Sequence, residues 1–165
     1  GDHRDLHKEY RRQRQMCIRD RSKGAMHKAF YTHCMYGGST VSPWNGDIPT
    51  EGYMVGRSDL SETEVVSSCY NPAMSGLDLP AIEVPRQAFS AEFSIVWTMQ
   101  MKAVMSAMPE RIRPQLYVGT WDNKNGDVEI DVAQCVEDLE EAMAKAKALR
   151  QRAIFDLKNG KDIYL

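Results

Sequence analysis

Thiols and imidazoles are the side chains best suited to nucleophilic or metal chemistry near neutral pH, and this chain places them unevenly. Its four histidines are His3, His7, His27 and His33, and its four cysteines are Cys17, Cys34, Cys69 and Cys135. A thiol becomes a working nucleophile beside a base. That requirement singles out Cys34 and Cys69 as candidate nucleophiles and His33 as their candidate base. No local motif supports such a dyad. Gly56-Arg57-Ser58-Asp59-Leu60 also lacks the second glycine of a nucleophile elbow.

The same residues bear on metal binding. His27 and His33 would share one face of a regular strand, and zinc would need Cys69 or Cys135 to join them and Cys34. The chain contains neither a Cys-x-x-Cys pair nor a His-x-x-x-His pair, so no metal and no cofactor are expected. Asp122-Asn123-Lys124-Asn125-Gly126-Asp127 superficially resembles a calcium loop. An EF-hand beginning at Asp122 would put Lys124 at its third position and Ala133 at its twelfth, where oxygen ligands are needed. This segment reads as a hairpin loop. Gly-x-Gly-x-x-Gly and Gly-x-x-x-x-Gly-Lys phosphate loops are both absent. Glu129 and Asp131 form a carboxylate pair, but alternation with Val128, Ile130 and Val132 marks them as the wet face of a strand.

Binding residues are easier to nominate. Trp44 sits in an apparent turn, with Tyr53 and Arg57 nearby in sequence, and Trp, Tyr and Arg are the usual interface anchors. The plain alternative is that Trp44 folds back over the core. Met99, Met101, Met105 and Met108 beside Trp97 would make an adaptable face, although at helical spacing such a stripe is ordinarily core.

The elements that must position these residues follow from the patterning. Residues 27–42 read as a strand leading into a turn. Pro43 and Asn45-Gly46 supply turn chemistry, and Gly52 to Gly56 a returning strand, so 27–56 is expected to be a hairpin or meander. Val65-Val66 and Ile82-Glu83-Val84 are short strand candidates in the less readable stretch 57–87. Ser90 is a candidate N-cap for a helix over about 90–108, carried by Phe93, Val96, Trp97, Met101, Val104, Met105 and Met108 and stopped by Pro109 and Pro114. Leu116–Trp121 and Val128–Val132 predict a second hairpin. Asp138 with Glu141 forms a capping-box pattern opening a helix over about 138–151. Asn159-Gly160 between two β-prone runs predicts a closing hairpin. The fold class is therefore α+β: one domain, with a mostly antiparallel sheet built from hairpins and two helices packed on it.

The chain has 165 residues, is 42% hydrophobic and 27% charged, and carries a formal charge of −2. That composition is ordinary for a soluble globular protein, and no apolar run approaches the roughly 18 residues of a membrane span. The charge is an average of unlike pieces: residues 1–22 hold seven Lys or Arg against four Asp or Glu, while the remainder is net acidic. A basic arm centred on Arg11-Arg12-Gln13-Arg14 would be the only basis for nucleic-acid binding. Met16-Cys17-Ile18-Arg19-Asp20-Arg21 resembles the conceptual translation of a transposase adapter used in sequencing libraries. The resemblance implies that residues 1 to about 21 are fused to a genuine reading frame starting near Met26, leaving 23–165 as the α+β domain. Three scattered cysteines in that body, with no secretory apolar run after Met26, point to a cytoplasmic setting.

Gly37-Gly38-Ser39-Thr40, Pro49-Thr50-Glu51-Gly52-Tyr53-Met54-Val55, Tyr117-Val118-Gly119-Thr120-Trp121 and Ala153-Ile154-Phe155-Asp156-Leu157 resemble blocks of an uncharacterised family of small proteins from phage and environmental bacterial genomes. The resemblance implies a phage or bacterial origin and carries no activity and no site residues. With catalytic motifs missing, the expectation is a small accessory protein that acts through a protein partner. A Cys-dependent hydrolase or transferase is the first alternative, and nucleic-acid binding through the 1–22 arm the second. Oligomeric state is left open by the residues.

Overall fold

A computed structural model describes residues 23–57, 82–123 and 125–165. The expectations placed on the 1–22 arm, on Val65-Val66 and on Cys69 lie outside the described residues. Within them the fold is α+β, with every strand pairing antiparallel.

The first element corrects the sequence reading. Residues 23–36 form a helix, α1, where a strand was expected. Ala25, Ala29 and His33 recur every four residues and are all buried, with Met26 and Phe30 packed beside them. That is a helical stripe, but its inner face is made of two alanines and a histidine. The aromatic residues that suggested a strand face outward or lie at the edge: Tyr31 and Tyr36 are exposed. Gly37, at φ +75°, ends the helix, and its N–H donates to the His33 carbonyl at 2.7 Å. Ala25, upstream of Met26, is 2% exposed and belongs to the core.

β1 (Gly38–Val41) and β2 (Tyr53–Gly56) follow, but they do not pair with one another. β1 pairs with β4 (Leu116–Asp122), and β2 lies between β5 (Val128–Val136) and β6 (Ala153–Asp156). The expected 27–56 hairpin is thus replaced by a helix and two strands with distant partners. β3 (Ile82–Val84) pairs with β5, and β7 (Lys161–Tyr164) with β6, giving the order β1-β4-β5-β2-β6-β7 with β3 off that path. The β4–β5 and β6–β7 hairpins match expectation. Asp156 accepts from the Asn159 N–H and side-chain amide at 3.1 and 2.7 Å, while Gly160 takes φ +61°.

A 3-10 turn at Arg86–Ala88 leads into α2 (Phe89–Ser106). Its N-cap is Ala88 without a side-chain bond, so Ser90 does not serve as the cap. The buried face runs through Phe89, Phe93, Val96, Trp97, Gln100, Ala103 and Val104. Gln100 takes the place expected for Met101. It is fully buried and donates from Nε2 to the Ile130 carbonyl at 2.9 Å, which satisfies a polar group inside the core. Met105 and Met108 are correspondingly exposed. Pro114 falls inside a second 3-10 segment, Glu110–Gln115.

α3 (Leu139–Ala148) begins as the capping pattern predicts: Asp138 accepts from the Glu141 N–H at 2.8 Å. Ala142 and Ala146 pack on Val55, Val136 and Ile154. Strand alternation places Val136, Val128, Ile130 and Val132 on one face of β5, so all three helices cover the same face of the sheet. Trp97 and Phe93 fill the space over Val118, Val128 and Ile130.

α3 closes with its Gln151 N–H bonded to the Ala146 carbonyl at 2.9 Å and Arg150 at φ +55°. That left-handed position is where such a motif favours glycine, because a Cβ there crowds the backbone. Arg150→Gly should raise stability by about 0.5–1 kcal/mol, read as a higher thermal midpoint; a lower midpoint would show that the Arg150 side chain contributes more than its backbone costs.

Candidate functional site

Two polar groupings stand out, one under α1 and one on the face of the sheet that no described helix covers. The first is built around His33, which is 4% exposed. The four-residue repeat with Ala25 and Ala29 turns its imidazole onto the end of β4. Nδ1 lies 3.0 Å from Thr120 Oγ1, and Thr120 Oγ1 lies 2.7 Å from Ser39 Oγ on β1. Thr120 and Ser39 are register partners, so their side chains share the helix-covered face. On its other side, Nε2 is 3.2 Å from Asp122 Oδ1. That contact has ion-pair distance without hydrogen-bond alignment, and Oδ1 has no hydrogen-bond partner. Asp122 Oδ2 pairs with Arg86 Nη2 at 2.7 Å, and Arg86 Nε donates to the Gly126 carbonyl at 3.2 Å. The Phe89 ring covers the imidazole, with centroids 4.6 Å apart. Burial lowers the His33 pKa, outweighing the Asp122 carboxylate that would raise it; Arg86 adds to the lowering.

Hydroxyl, imidazole and carboxylate in this order are the parts of an acyl-transfer relay. Ser39 and Thr120 are 8% and 3% exposed, however, so neither hydroxyl meets a substrate. The geometry instead fastens α1 to β1 and β4. A further bond, from the Asp122 N–H to the Gly37 carbonyl at 3.1 Å, ties down the last turn of the helix.

The second grouping is Glu83, Glu129 and Asp131. Glu83 and Glu129 are register partners on β3 and β5, and Asp131 follows on the same face. Asp131 is seated over glycine on both sides. A Cβ at Gly119 would come 2.7 Å from Asp131 Oδ1, and one at Gly56 would come 3.3 Å from Oδ2. Burial pushes both carboxyls up to about 7, with Glu83 adding to the effect on Glu129 and Glu129 to that on Asp131. Asn123 Nδ2 donates to Glu129 Oε1 at 3.4 Å, which opposes the rise. These two acids are therefore not on a wet face. The alternation that the sequence shows is real, but Glu83 and Trp121 flank Glu129 as its register partners, and Gly56 and Gly119 lie against Asp131. The one sequence signal that could have pointed to this is Gly119, whose missing Cβ leaves room for the Asp131 carboxyl between strands.

The residues nominated from sequence are dispersed. Cys34 is exposed on α1, whereas His33 is buried and engaged, and neighbouring positions on a helix point about 100° apart. They form no dyad. Trp44 folds back against Ala103, Val104, Leu116 and Val132, and its Nε1 donates to the Arg113 carbonyl at 3.3 Å. Tyr53 packs against the α3 cluster. Arg57 donates from Nη1 to Gln134 Oε1 at 2.6 Å. Trp44 and Tyr53 thus pack on different core clusters, while Arg57 bonds Gln134 on β5. His27 is exposed. Among the described residues, no three His, Cys, Asp or Glu side chains converge on a metal-sized point. In the Asp122–Asp127 loop, Asn123 Oδ1 accepts from the N–H groups of Asn125 and Asp127, as a hairpin loop requires.

Large apolar side chains are exposed elsewhere. Tyr31, Met35 and Tyr36 on the outer face of α1 are 68%, 71% and 77% exposed. Cys34 lies within the same stretch. Trp121, itself 47% exposed, is the register partner of Glu129 and so points from the opposite face of the sheet. No known protein family matches the chain, and no curated protein or solved structure matches it either.

The raised carboxyl pKa values have a definite sign. As pH rises above the unfolded value of 3.8, an unfolded Asp131 releases its proton while the folded one keeps it to about 7. Stability contributed by the protonated form is lost across that window. Asp131→Asn should therefore stabilise the protein at pH 8, by at most about 4 kcal/mol from the size of the shift, and change it little at pH 4. Denaturant unfolding at the two pH values checks this, and an equal effect at both would contradict it.

Proposed function

We propose that the chain acts through protein contacts rather than through chemistry, as a small accessory protein. Its contact surface is the outer face of α1. The observation that carries this reading is the exposure of Tyr31, Met35 and Tyr36, three large side chains in the last turns of one helix. Aromatic and methionine side chains are the residue types that interfaces concentrate, and a thioether adapts to irregular partners. The buried His33 contacts support the reading, because a contact face gains affinity when it is held rigid before binding. Trp44, Tyr53 and Arg57 then support the fold beneath the surface. The block resemblance to phage and environmental bacterial proteins, and the free thiols Cys34 and Cys135, suit a phage or bacterial accessory protein working in a reducing cytoplasm.

A Cys-dependent hydrolase or transferase is the rival reading. Cys34 has no base from His33, so the reading would run through Cys69. Alkylating the thiols separates the two, since a contact protein whose Cys34 is merely at the rim retains its partner when Cys69 is blocked.

The surface itself is tested by placing a photoreactive benzoylphenylalanine at position 34 and irradiating source cells. One partner should be trapped, and the double change Met35→Ser with Tyr36→Ser should reduce trapping by about tenfold or more, as loss of two interface anchors implies. The same probe at Lys161, on the far strand β7, should trap little. Equal trapping from position 161, or trapping indifferent to the double change, would refute the assignment.

A further inference from the structure

His33 is a buried titratable group whose protonation the contact reading leaves without a role, and its surroundings have a direction built into them. With its proton on Nε2, facing the Asp122 carboxylate, neutral His33 accepts at Nδ1 from the Thr120 hydroxyl, and Thr120 in turn accepts from Ser39. Each hydroxyl proton then has one acceptor, and the chain runs Ser39 to Thr120 to His33. A second proton on the ring makes Nδ1 a donor. Thr120 must then accept from His33 and donate to Ser39, so both hydroxyls turn over. Ser39 Oγ is left with a proton to place, and among the described residues Thr120 is its one hydrogen-bond partner.

The charges facing the ring do not restore the balance. From β4 comes Asp122, favourable to a cation but poorly aligned with Nε2 and already paired with Arg86. From the 3-10 turn comes Arg86, which opposes a cation. From β1 and α2 come the neutral Ser39 and the Phe89 ring. From α1 itself no charged side chain faces it, since Lys28 reaches away to the Gly46 carbonyl at 2.8 Å.

We propose that the Ser39–Thr120–His33 chain is a pH-sensitive latch that holds the C-terminal half of α1 on the sheet at neutral pH and releases it on mild acidification, withdrawing the Tyr31–Met35–Tyr36 surface. The proposal adds regulation to the contact reading and rests on it for its biological consequence, but the latch is tested without any partner. Burial that lowers the His33 pKa agrees in sign: the unfolded ring takes a proton first as pH falls below about 6.5, so folded stability declines from that point downward.

The test is hydrogen exchange on the full chain at pH 7.5 and 5.5, corrected for intrinsic rates, with the amides of 30–37 compared with those of α3. Opening of α1 should increase several-fold at pH 5.5 relative to α3. In His33→Gln that pH dependence should vanish, and in His27→Asn it should persist, because His27 is exposed and outside the chain. The imidazole resonances of wild-type His33 should titrate below the ordinary 6.5, a measurement that stands if His33→Gln does not fold. A normal or raised titration midpoint, or α1 opening that is independent of pH, overturns the latch. Loss of partner trapping at pH 7.5 with an intact latch instead rejects the contact surface alone.

Discussion

The pairing of β5 is the constraint on which the rest of the molecule depends. This nine-residue strand bonds to β4 along one edge and to β2 and β3 along the other, and both α2 and α3 touch it. Its alternation separates two environments 180° apart. Val128, Ile130, Val132 and Val136 meet the helices, and Glu129, Asp131 and Cys135 face the other way. A slip of one residue would exchange the two sets, burying carboxylates under Trp97. The Gln100 side chain, bonded to the Ile130 carbonyl, fixes α2 to the same strand at the level of a single residue.

The two sides of the sheet treat their polar groups differently. On the helix side, His33, Ser39, Thr120 and Asp122 are joined by contacts of 2.7–3.2 Å and serve to seat α1. Burial favours the neutral imidazole there, and the hydroxyls give it partners that need no charge. On the other side, burial also favours neutral acids, and Glu83 and the neighbouring acids add to it, opposed at Glu129 by Asn123 and by the charge of Arg152. Acidification therefore acts on the two sides in opposite senses: it strains the seat of α1 while relieving the carboxyl group pair. The difference in chemistry follows from the neighbours, since His33 on α1 and the carboxyls on β5 are both enclosed titratable groups.

Much of the fold was legible where a local physical signal was complete. α3 carries its own start, Asp138 with Glu141, and its own apolar stripe. The β6–β7 and β4–β5 hairpins announce themselves by Asn159-Gly160 and by the alternation of Val128, Ile130 and Val132. α1 was not legible, because its inner face is Ala25, Ala29 and His33, and small or polar residues give no hydrophobic period. Phe30, Tyr31, Met35 and Tyr36, leading into Gly37-Gly38, read as a strand instead. Trp44 was ambiguous for a related reason: a turn motif says where the chain bends and not which way an indole falls. Glu129 and Asp131 read correctly as one face of a strand and incorrectly as wet.

By itself, then, the sequence determined that the β4–β5 and β6–β7 hairpins close and that a mostly antiparallel α+β arrangement would result, because capping, turn and alternation signals act within a few residues. Only the tertiary structure decided that β1 and β2 part company, that His33 reaches Thr120 and Asp122 nearly ninety residues away, and that Tyr31, Met35 and Tyr36 are left exposed on α1. Those outcomes depend on which strands share an edge. That is settled by the packing of α1, α2 and α3 on one face, a global competition for buried area that no local spacing records.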